Sequence, residues 1–115
     1  MIDVYNAAVQ RLSRVSGVRG ALLVDAQAGV PVVAELAEGV SGTAVAALAA
    51  SLFQRTAQAS EHADFGRLTT LQVDADEGHM IAVDAGEVII VVVAERAAQL
   101  GLVRLEAHRA AESLA

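Results

Sequence analysis

The stretch EVIIVVVA, Glu87 to Ala94, decides the fold. From Val88 to Val93 it is apolar with no alternation, as in a central strand covered on both faces. Helices are therefore needed on both sides of one sheet. Working outward, Gly78 to Asp84 and Arg67 to Asp74 are strand-like runs. Their breaks, Ala85-Gly86 and Asp76-Glu77-Gly78, carry turn chemistry, so the three runs form an antiparallel meander. In the first of them Leu71 and Val73 alternate with Thr70, Gln72 and Asp74, the pattern of a strand with one wet face or an open edge.

Upstream, Val18 to Asp25 and Val30 to Glu35 form a hairpin across Ala26-Gln27-Ala28-Gly29, and Pro31 places the second of these strands at an edge because proline gives no ladder donor. Three helical segments complete the chain. Ile2 to Val15 places Ile2, Tyr5, Ala8, Val9, Leu12 and Val15 on one face, and Ser16-Gly17 ends it. From about Gly42 to about Ala63 a second helix follows, capped by Ser41. A third, from about Ala97 to Leu114, puts Leu100, Val103, Ala107, Ala110 and Leu114 on one stripe and tolerates Gly101. The order is α-β-β-α-β-β-β-α, an α/β (α+β) chain of 115 residues forming one domain, 1–115.

Composition narrows the chemistry. The chain has no cysteine, so disulfides, thiolate metal sites and thiol nucleophiles fall away together. Its net charge is -6, and all eight bases are arginine. A field of that sign repels phosphate backbones and anionic lipid, which argues against nucleic-acid or membrane partners. No stretch approaches the ~18 to 20 apolar residues of a membrane-spanning helix. Met1 to Asn6 carries Asp3 and no basic cluster before an apolar block, so the expectation is a cytoplasmic protein. The hydrophobic fraction is 55% with aromatics at only 3%, more apolar surface than a small monomer readily hides, which predicts cover by a partner.

The second helix is the candidate interaction element. Val45, Leu48, Leu52, Thr56 and Ala59 make a stripe suited to the sheet, and Ala46, Ala50, Phe53 and Ala57 make a second uncharged stripe for another chain. Small side chains allow close backbone approach and Phe53 offers an anchor; the competing possibility is that this stripe packs the protomer's own core. Gln54 beside it, with Thr70 and Gln72 on the half-polar strand, completes the expected partner surface. Arg55 is the candidate contact with a GTPase, since an inserted arginine can neutralise charge on a transferred phosphoryl group.

Other constellations read as structure. GVSGT, Gly39 to Thr43, lacks the lysine and spacing of a phosphate loop and reads as a capping turn. His62, His79 and His108 fall in different elements, so they read as surface histidines, and EHAD, Glu61 to Asp64, supplies too few ligands for a metal. Asp74, Asp76 and Glu77 before Gly78 are too short a run for a calcium loop. There is no GxSxG elbow. Neither a catalytic residue, nor a metal, nor a cofactor is assigned, and the chain is expected to be no enzyme.

Three stretches resemble the Roadblock/dynein light-chain family: VSGVRGALLVDAQAGVPV (Val15 to Val32), ALAASLFQRTAQA (Ala47 to Ala59) and VIIVVVAERAAQLGLVRLEAHRAAE (Val88 to Glu112). The resemblance spans essentially the whole chain. It implies a five-stranded antiparallel sheet with the second helix on one face and the first and third on the other, a Roadblock/longin-like fold of profilin-like layout. It also implies a homodimer joined through the third strand and the second helices. For the bacterial MglB-like branch it implies binding of a small Ras-like GTPase and modulation of its GTP hydrolysis, with members of that kind acting without an arginine finger by repositioning the GTPase's own residues. The alternative it implies is a non-catalytic dimeric scaffold in a motility or signalling complex.

Overall fold

A computed structural model describes residues 2 to 114; Met1 and Ala115, the two ends of the expected single domain, lie outside the described residues. The elements are α1 (Ile2–Ser13), β1 (Val18–Asp25), β2 (Pro31–Leu36), α2 (Gly42–His62), β3 (Thr70–Ala75), β4 (Gly78–Asp84), β5 (Val88–Ala94) and α3 (Leu100–Leu114). The strands form one antiparallel sheet in the order β2-β1-β5-β4-β3. β5 is therefore central, as its unbroken apolar run requires, while β2 with Pro31 and β3 with its alternation are the two edges.

Each face of the sheet carries its own core. Val9 and Leu12 of α1 and Val103 and Ala107 of α3 lie with Ala21, Leu23, Ile81, Val83, Ile90 and Val92. On the opposite face Ala46, Ala49, Ala50 and Phe53 of α2 lie with Leu22, Val24, Met80, Ala82, Ile89 and Val91. Successive β5 side chains thus serve opposite cores, the consequence of a two-residue repeat in a doubly covered strand. Burying Ile89, Ile90, Val91 and Val92 almost completely contributes about 1.5–3 kcal/mol per side chain.

Junction residues explain where elements begin and end. Gly17 takes φ +87, and a side-chain carbon there would sit 2.7 Å from the Ala98 Cβ. The backbone also bonds across this contact, Glu95 N to Gly17 O at 2.8 Å. That tight seat occupies residues 95–98 in a turn, so α3 starts at Leu100 rather than Ala97. α1 likewise stops at Ser13, short of Val15, because the next bonds are the tighter Arg14 N to Arg11 O and Val15 N to Leu12 O. β3 starts at Thr70 instead of Arg67, whose guanidinium leaves the strand to pair with Asp84. In the β1–β2 turn the Asp25 carboxylate accepts from Gln27 N and Ala28 N at 3.0 and 2.8 Å, an Asx turn that fixes the hairpin.

Candidate functional site

The open edge of β3 is the first part of a candidate interaction surface. Asp84 N bonds Thr69 O at 3.0 Å, and the register pairs Leu71 with Ala82 and Val73 with Met80. Antiparallel ladders alternate, so Thr70, Gln72 and Asp74 turn their backbone N–H and C=O groups outward. Their side chains lie on the α3 side of the sheet. Thr70 Oγ1 is 3.1 Å from His108 Nε2. Gln72 Oε1 accepts from Arg104 at 2.8 Å while its amide donates to Asp74 at 2.9 and 3.2 Å. Asp74 Oδ1 also meets His79 Nδ1 at 2.6 Å. The bond from Gln72, then that from His79, holds the Asp74 carboxyl below its ordinary value. These side-chain ties join the exposed edge to β4 and α3.

The flank of α2 is the second part, and here one expectation is corrected. Ala46, Ala50 and Phe53 are 0%, 4% and 8% exposed and belong to the protomer's own core. Ala57 is half-buried. The stripe expected to await another chain is therefore the face seated on the sheet. The two uncharged stripes adjoin on the helix, and the smaller side chains let α2 settle closest to β1, β2 and β5. The stripe expected on the sheet, with Val45, Leu52 and Thr56 half-buried and Leu48 50% exposed, is displaced to the flank. Beside it, toward β3 and β4, lies a largely apolar groove of about 280 Å³ bordered by Val40, Val45, Leu48, Val73, Ala75 and Met80, with Arg19, Glu77 and His79 also in its lining.

The remaining predicted residues scatter. Gln54 donates to Ala26 O at 2.6 Å, a tie between α2 and the β1–β2 turn. Arg55 is exposed and makes no ion pair among the described residues. Ser41 accepts from Ala44 N at 3.3 Å, so GVSGT is a helix cap. The surface reading of the histidines holds for His62 alone. His79 has its side chain 15% exposed and reaches Asp74 on one side and Arg96 O, at 3.2 Å, on the other. His108 bonds Thr70. Among the described residues no three or more metal-capable side chains gather.

One surface residue escaped the sequence reading. Phe65 is 85% exposed although its backbone is firmly held. Phe65 N bonds Ser60 O at 2.9 Å, Asp64 N bonds Glu61 O at 3.1 Å and Asp64 takes φ 64, the helix-ending motif with a left-handed residue after the cap. The residue at the Phe65 position of that motif normally rests on the helix residues three and four before the C-cap, Ala63; here these are Ser60 and Ala59, too small to cover a phenyl ring. The available signal was a phenylalanine between helix-end residues in a chain with only two.

An antiparallel five-stranded sheet with one helix on one face and a pair on the other, an ordered open edge and an apolar flank beside it, defines a small α+β module of Roadblock/longin-like architecture. The Roadblock/LC7 domain family is matched over residues 5–94, and the chain belongs to that family. An uncharacterized protein of Methanocaldococcus jannaschii is 30% identical over 103 residues, covering 90% of this chain and 86% of its own. Myxococcus xanthus MglB superposes with TM-score 0.87 at 21% identity, over 97% of this chain and 85% of that one. An MglB solved in a tetrameric arrangement gives TM-score 0.83 at 27% identity, over 96% and 87% of the two chains.

Proposed function

We propose that this protein is a homodimeric regulator of a small Ras-like GTPase, modulating GTP hydrolysis with no catalytic centre of its own. The observation that carries the dimer is the edge of β3, where three outward-facing residues stand beside an apolar helix flank. Two copies related by a two-fold axis pair these strands antiparallel, and partners in such a pair have position numbers with a constant sum. The register that engages Thr70, Gln72 and Asp74 together is centred on Gln72, pairing Gln72 with its copy and Thr70 with Asp74. The flanks bearing Leu48 and Leu52 then approach each other on one side of a continuous sheet, and their burial adds hydrophobic stabilisation.

The partner class is supported by likeness to MglB, and self-association by the MglB found as a tetramer. Arg55, exposed on α2, remains the candidate contact with the GTPase. Dimerisation is read by sedimentation equilibrium, and a stable monomer at high micromolar concentration refutes it. Phosphate release from the small GTPases of the same cell, with and without this protein, reads the second half. Binding with an unchanged hydrolysis rate identifies a scaffold in a motility or signalling complex instead.

A further inference from the structure

Phe65 and the apolar groove are two solitary features of one protomer that cannot meet within it. The groove borders the start of α2, at Val40, Val45 and Leu48, and the end of β3, at Val73 and Ala75. Phe65 follows the other end of the same helix, and a helix of 21 residues is about 30 Å long. The protomer therefore presents an exposed aromatic on a held backbone after the end of α2, before β3 begins, and an apolar recess by the start of α2 and the end of β3.

A two-fold axis at Gln72 exchanges those ends. Along β3 that register sets Thr70 of one copy against Asp74 of the other, so the segment that leads from Phe65 into β3 of one copy runs toward the β3–β4 turn of the other. Gly78, which follows that turn, and Met80 beyond it both border the groove. The helices agree with the strands, since antiparallel α2 helices bring the end of one beside the start of the other. Both features also lie on the α2 side of the sheet.

We infer that Phe65 of each copy inserts into the groove of the other, between Val45 and Leu48 on one wall and Val73 and Met80 on the other, and anchors the dimer at two symmetric points. This rests on the proposed homodimer. The backbone bonds at Ser60 and Glu61 fix the main chain that carries the ring before association, so docking orders only the side-chain torsions of Phe65. An aromatic in a desolvated pocket is the kind of contact that dominates an interface.

The test uses the full chain. Sedimentation equilibrium compares the wild type, Phe65→Ala and Phe65→Leu, with circular dichroism to establish that each is folded. The expected result is a dissociation constant raised about thirtyfold or more in Phe65→Ala and largely restored in Phe65→Leu. In parallel, benzoylphenylalanine replaces Phe65, and on irradiation the covalent dimer should carry its link within residues 40–48 or 73–80 of the other copy. A wild type that stays monomeric overturns the homodimer itself. A wild-type dimer that Phe65→Ala leaves equally tight, or links that fall elsewhere, overturns the role of Phe65 alone.

Discussion

Replacing Gln72 by proline tests the edge pairing with little disturbance of the protomer. The Gln72 N–H points away from β4, so its loss breaks no bond of the existing ladder, and proline is tolerated on edge strands for that reason. In the dimer centred on Gln72, three residue pairs exchange two bonds each, six in all. Proline in both copies removes the two bonds between the central residues and places a ring where the second strand must approach. At about 1 kcal/mol net per bond, roughly 2 kcal/mol is lost, a dissociation constant about thirtyfold higher before any steric contribution. Gln72→Ala is the control, since it loses the same bonds to Arg104 and Asp74 but keeps the outward N–H. Sedimentation equilibrium should show Gln72→Ala near wild type and Gln72→Pro largely monomeric, both with unchanged circular dichroism. A folded Gln72→Pro that dimerises as tightly as the wild type refutes the edge as the joint.

Three further outcomes are expected. Phe53→Ala should lower protomer stability by about 3–4 kcal/mol in denaturant unfolding, and Ala50→Arg should prevent folding altogether, because both sites lie in the core beneath α2; a folded Ala50→Arg would place that stripe outside. The depressed Asp74 carboxyl stabilises the fold above the ordinary carboxylate range and loses that contribution as the pH falls through its lowered value. Stability measured from neutral pH down to about pH 2 should therefore drop less steeply in Asp74→Asn, and parallel curves would discount the Gln72 and His79 bonds. Arg55→Ala should leave most of any stimulated GTP hydrolysis intact, measured as phosphate release at saturating regulator; loss of the rate with binding unchanged makes Arg55 a transition-state contact.

The sequence spoke clearly where local chemistry and global need coincide. The unbroken run Val88 to Val93 could only be central, Pro31 belonged at an edge and Ser41 at a helix start, and each is found there. It misled on the orientation of α2, putting Val45, Leu48 and Leu52 on the sheet where Ala46, Ala50 and Phe53 lie instead. Two neighbouring stripes carry no charge, and periodicity alone does not say whether alanines or leucines meet the sheet; the closeness of packing over Leu22, Ile89 and Val91 decides it. Contacts between distant segments were equally illegible: Thr70 with His108 and Gln72 with Arg104 lie 38 and 32 positions apart. Phe65 was passed over because exposure is a property of what fails to cover a side chain, and that depends on Ala59 and Ser60 lying beneath it.

In the proposed dimer, joining β3 edges would leave a β2 strand at each rim of the enlarged sheet. Pro31 brings no donor to the start of that rim, and the pairing shifts register between Leu23 and Val24, a local twist that discourages lateral growth. The two borders of one small sheet thus have opposite characters, one inviting and one terminating. Assembly by strand addition of the proposed kind would halt at a finite pair where an evenly receptive sheet would run on into a fibre.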